Sequence, residues 1–255
     1  MEKRHYRAAV RRWNLHQRIH HIGMFSTFIL CTITGLPIKW HDNSLSLALA
    51  RWFGGPDTML NIHIGSGLTM IAVSIYHLVW MFYKMLVKKD LGWAIMPALK
   101  DVTDLVQHLK YQLGFTDQPA RFDRYSYKEK FDYWAVFWGM FIIGGSGIFM
   151  MMPEWGAALM PRWLIDCWRI GHSDEAVLAI LAIFVWHFYN VHFNPDFFPG
   201  STTWFNGLMD IRVMEHEHPL ELERIKKEQE KIILIPEEGQ EGEAWPSSDT
   251  VATKV

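Results

Sequence analysis

Four stretches of about twenty residues without a charged side chain constrain this chain more than any other feature. They cover residues 20–38, 60–83, 133–153 and 176–195. About 20 helical residues cross a hydrocarbon layer of roughly 30 Å, and a water-soluble core helix seldom needs so long an uncharged run. In lipid a segment must satisfy its own backbone hydrogen bonds, which makes each run a helix. The expected fold is all-α, an integral membrane four-helix bundle with short interfacial helices. The bundle domain is expected over 1–200. Residues 201–255 are expected to be a cytoplasmic charged helix and a disordered tail.

Lysine and arginine orient the bundle. Residues 1–18 carry six and 84–130 carry nine, while the other two connections carry two each. Positive residues collect on the cytoplasmic side, so both termini and the 84–130 segment are expected there, in a bacterial cytoplasmic membrane. A net charge of −2 provides no basic field for nucleic acid. Cys31 and Cys167 lie far apart and no CxxC or CxxCH occurs. That excludes a zinc ribbon and covalent c-type haem attachment by this chain. The first 18 residues are basic and patterned, unlike a signal peptide.

The connections have their own patterns. GGP at 54–56 signals a turn. Within 84–130, Val102, Leu105, Val106, Leu109 and Leu113 share one helical face, opposite Lys100, Asp101, Asp104 and Lys110. This is the pattern of an interfacial helix. The 153–171 segment, with Pro153, Pro161 and tryptophans, reads as a loop at the outer interface. HPLELERIKKEQEKIILI (218–235) reads as a short charged helix, and 236–255 as disordered.

Histidines then mark the interior. His20 and His21 open the first span, His63 and His77 lie in the second, and His172, His187 and His192 lie before or within the fourth. An ionisable group in a membrane span is costly and is functional by default. His63 and His77 are 14 residues apart, and His172 and His187 are 15 apart. Both separations are about 21–22 Å along a helix and nearly whole numbers of turns. Each helix thus presents two imidazoles on one face at matched depths. Two facing imidazole pairs are what two stacked bis-histidine b-type haems require. On spacing alone the pairs are His63 with His172 and His77 with His187. Small residues that admit a macrocycle follow His63 (Gly65, Ser66, Gly67) and occupy the third span (Gly144, Gly145, Gly147). The plain alternative is that each histidine hydrogen-bonds a neighbour or lines a water cavity. A matched set of four or five argues against it.

The chain resembles the membrane cytochrome b subunits of the formate dehydrogenase gamma and thiosulfate reductase type. Within that group it is most similar to the cytochrome b partners of multihaem c-type cytochromes. The resemblance rests on RIHH at 18–21, TGLP at 34–37, Tyr76-His77, FDRYSYKEKFDYW at 122–134, WHFYNVHF at 186–193 and EHPLELER at 217–224. It implies a di-haem bundle exchanging electrons between a quinone pool and a periplasmic partner. Matched to this chain, it implies axial ligands at His21, His63, His172 and His187. The inner haem would then lie between His21 and His187. That conflicts with the spacing, which pairs His77 with His187; His21, at the inner end of the first span, is the expected ligand and His77 the alternative. His77 either replaces His21, binds a third haem with His192, or serves the quinone site. On an ideal α-helix His187 and His192 are about 140° apart and cannot face the same haem. Arg18 either pairs with a haem propionate or anchors its helix end.

Quinone chemistry moves protons with electrons and needs an ionisable or hydrogen-bonding group near the haem edge. The resemblance puts that site at the start of the third helix, here Tyr125, Ser126, Lys128 and Glu129, with His192 a further candidate. The family pattern often has Asn and Gly where this chain has Ser126 and Lys128. The expected function is electron transfer between menaquinone or ubiquinone and a periplasmic partner. That partner would be a multihaem c-type cytochrome or an iron–sulfur/molybdenum redox subunit. The competing class is a non-redox membrane transporter or anchor. A transporter predicts carboxylates among the intramembrane histidines, and the four uncharged runs contain none.

Overall fold

The computed structural model describes residues 6–89, 91–194, 198, 200–228 and 232–236. In chain order the elements begin with strand β1 (Tyr6–Arg11), helix α1 (Leu15–Lys39), α2 (Ser44–Trp52) and α3 (Pro56–Tyr83). Then come α4 (Leu99–Gln112), α5 (Tyr127–Met151), α6 (Pro153–Leu159) and α7 (Arg162–Ala182). The last are α8 (Thr203–Asn206), β2 (Leu208–Asp210), α9 (Ile211–Glu217), α10 (Pro219–Glu228) and β3 (Ile232–Pro236). They divide into two units. One contains residues 19–96 and 128–191, and the other contains 6–18, 97–127 and the described residues from 192 onward. The division does not follow the expected boundary at residue 200.

The first unit is the membrane bundle. Four continuous helical segments of 25, 33, 25 and 32 residues are long and apolar enough to cross a bilayer. Only 0–17% of each segment's most apolar window is buried within the protein. Side chains such as Leu178, Val185, Phe141 and Ile75 point outward. An apolar surface of this extent needs lipid rather than water around it. Gly54 and Gly55 take φ of 89° and 115°, conformations glycine reaches without a Cβ penalty. Pro56 then starts α3 at a position where its missing N–H costs nothing.

The fourth span differs most from the sequence reading. The expected outer loop at 153–171 is mostly helix, with α6 followed by the start of α7. The uncharged run identified only the part of this helix that matches the hydrocarbon layer. A 32-residue helix is about 48 Å long and extends beyond that layer, so it tolerates Asp166, Arg169, Asp174 and Glu175 near one end. At its other end, Ile183–His187 and Tyr189–Phe193 are π-helical. Bonding from i to i+5 changes the rotation per residue. The 140° between His187 and His192, derived for an ideal α-helix, therefore no longer follows.

The second unit contains a small sheet that the sequence reading missed. β1 lies between β2 and β3 and is antiparallel to both, with Ala9 opposite Asp210 on one side and Ile233 on the other. The helix expected over 218–235 ends at Glu228. The apolar, β-branched IILIP that follows pairs as β3 instead. Val10, Met209, Met214 and Leu222 form the unit's core. Beside them Arg12 and Glu221, with side chains 2% and 4% exposed, form an ion pair at 2.7 Å. Arg124 reaches the other Glu221 oxygen at 2.6 Å. Arg12 and Arg124 also donate to each other's backbone carbonyls, both at 2.5 Å. Gly207, at φ 80°, accepts from Arg12 N and Trp13 N, and a Cβ there would lie 2.5 Å from Trp13 O. Helix α4 carries the expected amphipathic pattern, and its apolar face (Val102, Leu105, Val106, Leu109) is exposed. The expected disordered tail, 237–255, lies outside the described residues.

Candidate functional site

The bundle brings its intramembrane histidines together in pairs. Near the N-terminal end of α3, the His63 ring stands 6.2 Å from the His172 ring of α7, centre to centre. Near the N-terminal end of α1, His21 stands 6.4 Å from His187. A metal–imidazole bond is about 2.0–2.1 Å, and the ring centre lies about 1.1–1.2 Å behind the nitrogen. Two imidazoles on opposite faces of one iron therefore have centres roughly 6.3 Å apart. Both pairs stand at that separation. Among the described residues no group of three or more His, Cys, Asp or Glu is arranged to hold a metal ion. A metal held by two histidines needs its remaining ligands from elsewhere, and a porphyrin supplies four nitrogens in one plane.

Hydrogen bonds assign the protonated nitrogen in three of these rings. His172 Nδ1 lies 3.0 Å from Ile143 O and 3.1 Å from Ser146 Oγ. A carbonyl can only accept, so Nδ1 carries the proton. His63 Nδ1 lies 3.0 Å from Thr34 Oγ1, whose own proton goes to Leu30 O at 2.6 Å. His187 Nδ1 lies 3.1 Å from Asp132 Oδ2. In all three rings the Nε2 lone pair is left for a metal, with Nδ1 held by a second protein group, as metal-binding histidines generally are. Asp132 was missed from the sequence because it lies one residue outside an uncharged run. Its neighbourhood to His187 is set by packing.

Two glycines lie against the paired imidazoles. A Cβ on Gly147 would lie 3.3 Å from the His172 ring, and one on Gly35 would lie 2.9 Å from the His63 ring. Gly144 and Gly145 instead face Ile71 and Trp168, and Gly65 and Gly67 have nothing within 4 Å of a Cβ. Gly35, in the TGLP stretch, was not singled out by sequence, although its absent side chain seats an imidazole.

His77 is not placed against His187. Its ring stacks on His20 at 4.2 Å between centres, and its Nε2 lies 3.1 Å from Tyr133 Oη. Three groups expected at a quinone site, Tyr125, Ser126 and His192, belong to the second unit. There Tyr125 lies under the Arg124 guanidinium at 5.6 Å, Ser126 is 1% exposed, and His192 packs against Gly200. Lys128 and Glu129 open α5 in the membrane unit. In the second unit Arg18 donates to Asn206 O at 3.2 Å, while its Nε is buried without a hydrogen-bond partner.

Residues 12–199 match the family described as prokaryotic cytochrome b561. The chain belongs to that family. No curated protein matches it. The family match and the four spans make this b561 relative a multi-pass membrane b-type cytochrome that binds haem b and acts in electron transfer. The paired imidazoles suit that group. Haem b supplies a one-electron iron couple, and the residues around each pair set ligand basicity and orientation.

Proposed function

We propose that this cytochrome carries electrons across the bacterial cytoplasmic membrane between a quinol pool, menaquinol or ubiquinol, and a periplasmic redox partner. It does so through two b-type haems, one held by His63 and His172 and the other by His21 and His187. The observation that carries this reading is the pair of imidazole separations, 6.2 and 6.4 Å, at opposite ends of one bundle. Haems stacked in this way give electrons a path between the two membrane faces. The cationic N-terminal and 84–130 segments support cytoplasmic termini, with the His63–His172 haem toward the periplasm. This chain has no c-type haem motif, so the acceptor is a separate subunit. A multihaem c-type cytochrome fits the resemblance to cytochrome b partners of the gamma type. An iron–sulfur/molybdenum subunit delivering electrons to quinone would use the same path in reverse.

The test is a haem count followed by quinol-driven reduction. The purified protein should carry two haems b per chain, both reducible by a short-chain quinol. A colourless protein, or a single haem, would sink the reading. Replacing His21 with alanine should remove one haem.

A further inference from the structure

Two consecutive residues of α1 and two consecutive residues of α5 split between two clusters in the membrane unit. His21 and Asp132 go with His187. His20 and Tyr133 go with His77. The first cluster has the ring separation of an iron-bridged pair. The second does not, because rings stacked at 4.2 Å leave no room for a metal between them. His77 is thus an intramembrane imidazole that no axial role explains.

Its surroundings point to proton chemistry. Tyr133 Oη lies 3.1 Å from His77 Nε2 and 2.8 Å from Met81 Sδ. A thioether is a weak acceptor and an imidazole nitrogen a strong one, so the hydroxyl proton can shift to His77. His20 Nε2, on the ring stacked over His77, is buried without a hydrogen-bond partner.

We infer that His77 and Tyr133 form the proton-accepting half of a site for a hydroquinone headgroup, beside the haem held by His21 and His187. This rests on the quinol reading above. The carrier's O–H bond breaks as its proton passes to the Tyr133 oxygen and the Tyr133 proton passes to His77 Nε2. The accompanying electron would go to the haem b that His21 and His187 would hold, which supplies a one-electron iron couple. His77 releases the proton to water, and the second hydroxyl proton follows the same route. The second electron would be taken up by the same route, with a haem held by His63 and His172 receiving the first. One hydroquinone yields one quinone, two protons and two electrons, and the ferric haems are the oxidant.

The experiment uses the full-length holoprotein in detergent or nanodiscs, reduced by decylubiquinol or menadiol in a stopped flow, with dithionite reduction and haem content as controls. His77→Ala should keep two haems, fully reducible by dithionite, while quinol-driven reduction slows about 100-fold. His77→Gln, which fills the space but cannot take the proton, should show the same loss. Tyr133→Phe should show a smaller one. Unchanged quinol rates in both His77 variants would overturn the inference. Loss of one haem in them would also overturn it, by making His77 an axial ligand. If wild-type haems respond to dithionite but not to either quinol, the quinol reading itself fails.

Discussion

The membrane bundle and the smaller second unit keep polar groups away from water in opposite ways. In the bundle, buried or partly buried polar side chains serve neighbours within reach of a proposed cofactor: Thr34 holds His63, Ser146 holds His172 and Asp132 holds His187. In the second unit a buried carboxylate, Glu221, joins Arg12 and Arg124 and ties together chain segments from residues 12, 124 and 221. The apolar surface of the bundle faces lipid, so hydrophobic burial inside the protein contributes little and histidine pairs specify its interior. The second unit has a core of only a few side chains, and its ion pairs hold distant segments in register. One region is organised for a bound group, the other for chain closure.

The comparison can be broken most directly at a proposed haem ligand. His172→Ala should remove one of two haems per chain, measured by pyridine haemochrome. The second unit should keep its protease resistance. Coupled loss of both would show that the regions are not independent. The reciprocal change is Glu221→Ala, which leaves the buried Arg12 guanidinium and the partly exposed Arg124 without their carboxylate. It should destabilise the second unit by about 3–5 kcal/mol, seen as faster amide exchange in β1 and its partners, with the haem spectrum unchanged.

Asp132→Asn should have a milder effect. A carboxylate on His187 Nδ1 makes the imidazole a stronger donor and favours ferric iron. The amide should raise the reduction potential of one haem in a redox titration and keep both haems, and Asp132→Glu should restore the original potential. An unshifted potential would remove Asp132 from any tuning role.

The smallest effect expected is acid sensitivity of the second unit. Burial pushes the Asp123 carboxyl up, but hydrogen bonding and charge from Arg224, with smaller help from Arg124 and Lys100, outweigh it and leave its pKa below the ordinary value. A carboxyl with a depressed folded pKa stabilises the fold above its unfolded pKa of about 3.9, and the contribution fades as pH falls through the folded value. Protection of amides in the second unit, corrected for the intrinsic exchange rate at each pH, should therefore fall below about pH 4, and Asp123→Asn should flatten that response. An identical acid profile in the variant would show that other carboxyls govern it.

Much of the bundle was legible in the sequence because its causes are local. An uncharged run of twenty residues is visible without knowing any contact, and so is a histidine inside it. The separation of His63 from His172 was expected from helical periodicity alone. For the inner pair, spacing favoured His77 opposite His187 while the resemblance implied His21, and the packed helices bring His21 beside His187. The sheet was illegible for a related reason. β1 reads as a basic N-terminal stretch, and its partners begin about 200 residues later.

The sequence by itself determined that the chain spans a membrane four times as helices and carries matched imidazoles inside. Hydrocarbon thickness and the cost of unpaired polar groups leave no other form. Only the tertiary structure decided between His21 and His77 as the neighbour of His187, that Asp132 and Gly35 support the pairs, and that His77 stacks on His20. Those outcomes depend on the rotation and tilt of whole helices and on π turns in the fourth span. Such rotations are set by packing summed over many side chains, which no single stretch of sequence records.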